Sequence, residues 1–300
     1  MRDILYRVLP ESWVPYILHT RPRAWPIVTA HMTIGFLLAN GLNFGEGQLG
    51  RWLLAALAWG VLGNGGTLAI NSAYDRDEGD IGYLENPPTA PNHLAFFSMV
   101  LLLLGFIPAA FLGWNFVITY AICFVMSLLY SVPPFRLKAR AGWDVIINSF
   151  GFGALTIYAG WAAMKSSLES PIILVSTAFF FFFMGFYPLT QIYQFEEDSR
   201  RGDYTLALAL GKTRALLLAI TCVGLGFVFL GIEVFNHFAA PRALGIALAL
   251  AAWLLVLMPW YAKRNHVDWR YEQKGFYNAL YAWALTDLAV AVAMMPFWFS

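Results

Sequence analysis

Two acid-rich stretches interrupt an otherwise apolar chain. The first, residues 69–91, contains Asp75, Asp77, Glu78, Asp80 and Glu85. The second, residues 192–215, contains Glu196, Glu197, Asp198 and Asp203. Clustered carboxylates repel one another unless cations bind between them, and Mg²⁺ prefers carboxylate oxygens and bridges them to substrate phosphates. The two stretches therefore predict a metal site for a phosphorylated substrate.

A basic segment lies between the two acidic stretches. Residues 129–144, "LYSVPPFRLKARAGWD", contain Arg136, Lys138 and Arg140, which suit the phosphate oxygens that a metal leaves open. Asn71 and Asp75 are four residues apart, so a helix turns both side chains to one face. A diphosphate held at the mouth of an apolar helix bundle, with its tail among the helices, would be an isoprenyl diphosphate. The alternative is that these segments are ordinary solvated loops.

The composition indicates an integral membrane protein. Of the 300 residues, 59% are hydrophobic and 12% are charged, whereas soluble domains carry about 25% charged residues. Both cysteines, Cys123 and Cys222, lie in apolar runs, which argues against a disulfide framework. The bilayer is therefore an expected partner, and nucleic acid is not.

Nine apolar segments approach the roughly 20 residues that a spanning helix needs. They are residues 25–42, 52–73, 93–113, 115–133, 144–163, 171–192, 213–233, 242–262 and 277–298. Only a short turn at Gly113-Trp114 separates the third from the fourth, so one broken segment is the alternative. With nine spans, 16 of the 19 Lys and Arg residues fall on the side of the N-terminus, and Arg51, Lys165 and Arg242 fall on the other. This asymmetry predicts a cytoplasmic N-terminus and cytoplasmic acidic loops.

The spacing of the acidic stretches suggests an internal repeat. Asp75 and Asp198 each follow an even-numbered span by a few residues. We therefore predict an all-α membrane protein with two four-helix halves and a ninth helix around a central cavity, forming one transmembrane domain over residues 1–300.

The motifs resemble those of the UbiA superfamily of intramembrane prenyltransferases. The family's first motif, NDxxDxxxD, corresponds to "NSAYDRDEGD" at 71–80, and its second, DxxxD followed by Gly and Thr-Leu, corresponds to "QFEED" at 194–198 with Gly202, Thr205 and Leu206. "YSVPPFRLKAR" at 130–140 resembles the family's basic loop, and "RPRAW" at 21–25 resembles its Arg-Pro entry to the first span. The order of the four motifs, all on loops of one face, makes the resemblance specific.

The chain departs from the family pattern at five positions. These are Ser72, Gly79 and Gln194 in place of Asp, Asp80 one residue late, and Asn86 in place of Arg. Either Asp80, Glu196 or Glu197 substitutes as a ligand, or one metal is held more weakly.

The resemblance implies two Mg²⁺ ions between the acidic loops and the diphosphate. It implies Asn71, Asp75 and Asp198 as metal ligands, with Asp80 and Glu197 as further candidates. The implied diphosphate ligands are Arg21, Lys138 and Arg140. Arg200 is either a fourth ligand or a solvated or lipid-facing anchor.

Asp144 and Asp287 are acids within apolar segments. Asp144 is assigned to helix capping, and Asn148, one turn later, either lines the cavity or bonds a neighbouring helix. Asp287, in "AWALTDLAV", looks the most buried of the acids, and a charge near the bilayer midplane costs roughly 2.5–3.5 kcal/mol. It orients the acceptor, takes its proton, or pairs structurally with Tyr281 or Asn278.

The leading hypothesis is an enzyme in a bacterial or archaeal plasma membrane that joins an isoprenyl diphosphate to a lipophilic acceptor. Within the family, acceptors include quinone precursors, chlorophyllides, carotenoids and glycerol phosphates. A terpene cyclase on the same scaffold is the first alternative, since the motifs are partly substituted. A transporter or non-catalytic lipid-binding protein is the second, although the polar residues concentrate at one membrane face.

Overall fold

The chain forms helices joined by short connections. The computed structural model describes residues 2–42, 44–75, 82, 84 and 86–293, without the side chains of Asp3, Glu197 and Arg201. An isolated parallel β-bridge joins Arg140 and Tyr204. The fifteen α-helices are α1 (Arg2–Val8), α2 (Val14–His19), α3 (Ala24–Asn40), α4 (Glu46–Ala55), α5 (Asn64–Asp75), α6 (Leu94–Leu104), α7 (Phe106–Ala110), α8 (Trp114–Ser131), α9 (Trp143–Asn148), α10 (Thr156–Ala162), α11 (Ser170–Ile192), α12 (Phe195–Arg201), α13 (Leu206–Asn236), α14 (Ala240–Lys263) and α15 (Trp269–Ala293).

Seven helical stretches in the described ranges are long and apolar enough to cross a membrane. They are Glu46–Asp75, Trp114–Ser131, Trp143–Ala162, Ser170–Ile192, Leu206–Asn236, Ala240–Lys263 and Trp269–Ala293. The predicted spans at 25–42 and 93–113 are helical as well, but α3 has 17 residues and Gly105 separates α6 from α7. Nine spans therefore stay a prediction, and the multi-pass membrane character is confirmed.

Departures from regular α-helix occur in three of the spans. Two π-helical segments, Ala56–Gly63 and Ser149–Leu155, join α4 to α5 and α9 to α10. Helix α13 is kinked at Gly211, which has a φ of 71°. Only glycine adopts that backbone region at little cost, so the glycine of "TLALALG" divides α13 into a short first segment and a long second one.

The first of two compact units contains residues 1–33, 44–136 and 162–164. Helix α5 packs on α6 at Gly66, where an added Cβ would lie 2.7 Å from Leu102 Cγ. Thr67 and Ser127 share a hydrogen bond of 2.7 Å between α5 and α8. Arg51 donates at 2.6 Å to both the Ala163 and the Leu112 carbonyl oxygens. These contacts fix α5, which carries the first acidic motif.

The second compact unit contains residues 34–43, 137–161 and 165–300. Its core is rich in aromatic side chains, and Phe179, Phe182 and Trp253 are fully buried. Helices α11 and α13 approach closely at Gly185, where a Cβ would lie 2.9 Å from the Ala219 carbonyl oxygen. This packing positions the second acidic motif, which lies between α11 and α13. The single-domain expectation for residues 1–300 stays a prediction.

Candidate functional site

The first acidic motif lies at the end of α5, in the first compact unit. Asn71 and Asp75 are one helical turn apart, and Asn71 Nδ2 donates to Ser131 Oγ at 3.4 Å. Arg136 Nη2 lies 3.6 Å from Asp75 Oδ1, with side-chain exposures of 34% for Arg136 and 11% for Asp75. The carboxylate of Asp75 is thus largely desolvated and paired with a cation.

Arg21 and Arg136 reach this motif from opposite directions along the chain. Arg21 Nη2 donates to Ser72 Oγ at 3.3 Å, and Ser72 is fully buried. Both arginines have positive backbone φ, 50° and 38°, a region that costs a non-glycine residue about 1–2 kcal/mol. Such strain often accompanies functional positions. Arg21 was a predicted diphosphate ligand, whereas Arg136 was noted only as part of the basic segment.

The second acidic motif lies on the short helix α12, in the second compact unit. Helix α12 ends at Gly202, whose φ of 73° allows the chain to turn back. The Asp203 amide then donates to the Asp198 carbonyl at 3.0 Å, and Thr205 Oγ1 donates to Asp198 Oδ2 at 3.5 Å. The loop therefore holds Asp198 through both its backbone and its carboxylate.

The basic segment lies beside this second motif. Lys138 is buried within a single 3₁₀ turn, Leu137–Ala139. The Tyr204 amide donates to the Ala139 carbonyl at 3.2 Å, next to the bridge between Arg140 and Tyr204. Two of the predicted diphosphate ligands, Lys138 and Arg140, are thus on a segment bonded to the loop that follows Asp198.

Asp144 has partners that the sequence did not indicate. It is fully buried near the start of α9, and its Oδ2 accepts from Gln191 Nε2 at 2.8 Å and from the Leu206 amide at 2.9 Å. The carboxylate therefore caps α13. Asn148 Nδ2 donates to the Asp144 carbonyl one turn earlier, so this bond stays within its own helix.

Arg200 lies on the outer side of α12. It is exposed, and its Nε donates to the Glu196 carbonyl of the same helix at 3.2 Å. With Phe195 and Ser199, these two residues line a shallow surface depression of about 460 Å³. Whether Arg200 is a fourth diphosphate ligand or an anchor stays a prediction. The predicted ligand Asp80 and its neighbours Asp77 and Glu78 lie outside the described residues, as does the side chain of Glu197.

The expectation that Asp287 is the most buried acid is wrong. Asp287 is only half-buried on α15, whereas Asp144, Glu233 and Glu272 have exposures of 0%, 2% and 5%. An apolar sequence neighbourhood cannot distinguish lipid-facing from protein-facing positions, because both are apolar in a membrane helix. The role predicted for Asp287 at the acceptor stays a prediction.

The donor atoms of both motifs fit a magnesium ion. Asn71 and Asp75 offer an amide and a carboxylate oxygen on one helix face, and Asp198 offers a second carboxylate. Such hard oxygen donors are those that Mg²⁺ selects. In the part of the chain that the structure describes, no three His, Cys, Asp or Glu side chains form a metal-binding group, and the predicted ligand set stays a prediction.

Comparisons with known proteins agree with the motifs. A family model described as the UbiA prenyltransferase family matches residues 26–298. A protoheme IX farnesyltransferase of Pyrobaculum neutrophilum is 26% identical over 79% of this chain and 84% of its own length. The bacteriochlorophyll synthase 34 kDa chain of Chloroflexus aurantiacus is 23% identical over 95% of this chain and 93% of its own.

Solved structures share the fold. A UbiA homolog from Archaeoglobus fulgidus, bound to DMAPP and Mg²⁺, aligns with a TM-score of 0.70 at 20% identity, covering 92% of this chain and 99% of that one. A digeranylgeranylglyceryl phosphate synthase structure aligns with a TM-score of 0.72 at 17% identity, covering 95% and 99%.

Proposed function

The chain belongs to the UbiA prenyltransferase family, and from this premise we propose that it transfers an isoprenyl group from an isoprenyl diphosphate to a lipophilic acceptor in the membrane. One observation carries the proposal: the first family motif pairs a carboxylate with a cation, and the loop of the second is bonded to the basic segment. Asp75 is paired with Arg136, and the loop after Asp198 is bonded to the segment of Lys138 and Arg140. Curated relatives named as farnesyltransferase and bacteriochlorophyll synthase support it.

Asn71, Asp75 and Asp198 are proposed to hold Mg²⁺, with Asp80 and Glu197 as additional ligands. The bound metal supplies charge neutralisation on the departing diphosphate. Arg21, Lys138 and Arg140 are proposed to hold the diphosphate oxygens. Arg21 is directed at the first motif by its bond to Ser72, and the Lys138 side chain is largely desolvated, which strengthens its attraction for an anion.

When the bond from the first prenyl carbon to oxygen breaks, diphosphate leaves with the electron pair and the prenyl group remains as an allylic cation, which water would quench. Apolar helices on which the tail lies exclude water, and aromatic faces stabilise the cation. The second unit offers such faces, since Phe183, Phe186 and Trp283 pack with ring centroids 5.5–5.9 Å apart. The acceptor then bonds to the first prenyl carbon and loses a proton. Asp287 is proposed to orient the acceptor or to take that proton.

The proposal extends to topology and location. Nine spans and a cytoplasmic N-terminus are proposed from the charge asymmetry, and two four-helix halves plus a ninth helix from the spacing of the two acidic stretches. The membrane is proposed to be a bacterial or archaeal plasma membrane. In this topology both acidic motifs face the cytoplasm, so the charged diphosphate group of the substrate would bind from that side of the membrane.

The test is release of diphosphate from geranylgeranyl diphosphate by the purified protein with Mg²⁺ and a panel of lipophilic acceptors. Asp75→Ala and Asp198→Ala should each lower turnover by at least about 100-fold, since each removes a charged metal ligand. Glu46→Ala and Glu169→Ala, which remove carboxylates outside both motifs, should leave turnover unchanged. Full activity in both motif variants would refute the site.

Product mass separates the alternatives. A prenylated acceptor supports transfer, whereas a cyclic hydrocarbon formed without acceptor would identify a cyclase. No diphosphate release from any isoprenyl diphosphate would favour a transporter or a non-catalytic lipid-binding protein.

A further inference from the structure

Asp144 occupies a position that the proposed chemistry does not use. It is fully buried in the second unit, about as far from water as any acid in the described chain. Burying a carboxylate is costly unless its hydrogen bonds replace those to water. Here one oxygen accepts from both the Gln191 side chain and the Leu206 amide. Stability alone is a poor reason for a buried carboxylate at this position. Its partners, Gln191 and Leu206, lie before and after the acidic residues of the second motif in the chain.

The first turn of α13 receives its capping from other helices. Thr205 is the N-cap residue but makes no side-chain capping bond to its own helix. Instead, Asp144 accepts from the Leu206 amide, and Gln191 Oε1 accepts from the Ala207 amide at 3.3 Å. These two bonds satisfy amides that a capping side chain would normally serve.

The Thr205 hydroxyl therefore points away from its own helix. It donates to Asp198 Oδ2 at 3.5 Å, the carboxylate proposed to hold a metal. Asp144 also continues the basic segment, since its amide donates to the Arg140 carbonyl at 3.1 Å. Asp144 is thus bonded both to the basic segment and to the start of α13, the helix that follows the loop of Asp198.

We propose that Asp144 is a positioning residue: by capping α13 together with Gln191, it directs the Thr205 hydroxyl to Asp198 and fixes that carboxylate for metal binding. The inference rests on the proposed function. Its chain of contacts runs from Asp144 to the Leu206 amide, to Thr205, and to Asp198. Loss of any link removes one of the bonds that orient the Asp198 carboxylate, so the metal binds more weakly although every ligand is still present.

The experiment measures binding of Mn²⁺, in the presence of inorganic pyrophosphate, by electron paramagnetic resonance on the purified full chain. Asp144→Ala should raise the Mn²⁺ dissociation constant about tenfold, and Asp144→Asn, which keeps one acceptor oxygen, should raise it less. In turnover assays, saturating Mg²⁺ should restore much of the rate of both variants, whereas Asp198→Ala should not recover. Ser149→Ala is the matched control, because Ser149 is equally buried but bonds only within its own helix.

A second pair of variants keeps the test decisive if Asp144→Ala does not fold. Thr205→Val keeps the side-chain volume but removes the hydroxyl, and it should weaken Mn²⁺ binding several-fold. Thr205→Ser restores the hydroxyl and should restore the affinity, which a purely structural role would not predict.

The outcomes separate the two proposals. Wild-type Mn²⁺ affinity in folded Asp144→Ala or in Thr205→Val would overturn the positioning role and leave the proposed transferase intact. No Mn²⁺ binding by the wild-type protein would overturn both, because Asp198 would then hold no metal.

Discussion

Replacing Arg136 by Gln tests the ion pair at the first acidic motif. Arg136 Nη2 lies 3.6 Å from Asp75 Oδ1, so the cation occupies one side of a carboxylate that is proposed to bind metal. If metal takes that carboxylate, the Arg136 pair must open. Once released, the guanidinium is close enough to the motif to contact the incoming diphosphate. The substitution therefore has two opposite effects, which depend on whether diphosphate is present.

The size of the first effect follows from the geometry. Two unit charges at this distance attract by about 4.6 kcal/mol at an effective dielectric constant of roughly 20. Arg136 is 34% exposed, and measured values for exposed pairs are only about 0.2–1 kcal/mol. A net value of about 1 kcal/mol corresponds to roughly fivefold in affinity. Without diphosphate, Arg136→Gln should bind Mn²⁺ about fivefold more tightly than wild type.

The second effect has the opposite sign. A hydrogen bond from a charged donor contributes about 1.5–3 kcal/mol, which is roughly tenfold or more in affinity. Arg136→Gln should therefore raise the KM for geranylgeranyl diphosphate by about tenfold or more. Mn²⁺ titration followed by paramagnetic resonance measures the first effect, and steady-state diphosphate release measures the second.

The control is Arg7→Gln, which removes an exposed positive charge from the same unit outside the family motifs. It should change neither constant by more than about twofold, given the small energies of exposed charges. Weaker Mn²⁺ binding by Arg136→Gln in the absence of diphosphate would show that Arg136 does not compete with the metal at Asp75, and would refute the reasoning.

Three further substitutions test packing and the altered motif. Arg51→Ala removes two bonds to backbone carbonyls and should lower the free energy of unfolding by about 2–4 kcal/mol, measured by denaturant titration in detergent. Gly105→Ala would place a Cβ 1.9 Å from Tyr120 Oη and should destabilise by about 1–3 kcal/mol in the same assay. Ser72→Asp would bury a carboxylate beside Arg21; the new pair should divert Arg21 and raise the KM for diphosphate without tightening Mn²⁺ binding.

Each has a comparison that would contradict it. Gly47→Ala meets nothing within 4 Å, so equal destabilisation by Gly47→Ala and Gly105→Ala would argue against a steric cause. An unchanged unfolding midpoint in Arg51→Ala would show that water replaces the guanidinium. Tighter Mn²⁺ binding in Ser72→Asp would mean that the restored carboxylate acts as a ligand.

Features that depend on neighbouring residues could be predicted from the sequence. The four-residue spacing of Asn71 and Asp75 puts both on one face of α5, because a helix repeats every 3.6 residues. Apolar runs likewise predict helices near their observed bounds. The ends of the shorter helices α3 and α6 were harder to predict. Hydropathy identifies an apolar run but not the glycine or turn at which the helix within that run ends.

Contacts between distant segments could not be predicted in this way. The sequence predicts only that Arg136 is one of several cations in a basic segment. Nothing in the residues next to it in the chain indicates that Arg136 Nη2 lies 3.6 Å from Asp75 Oδ1. Its position depends on how α8 ends and on a backbone φ of 38°, which local propensity disfavours. The sequence therefore indicates which kinds of side chain occur at a site better than which of them contact one another.

Asp144 shows how much of a capping role depends on contacts between distant segments. Its position near the start of a helix predicts a cap, and the side chain also caps a helix that begins 62 residues later in the chain. The carboxylate satisfies amides of α13 because Gln191 and Asp144 meet at that helix end through the packing of α9 on α11. Such packing depends on small residues on facing helices, such as Gly153, which closely approaches the Phe179 carbonyl. Residues far from the acidic motif therefore help to set the position of Asp198. The geometry of the second motif is therefore determined as much by the interior of the helix bundle as by the loop in which its carboxylates occur.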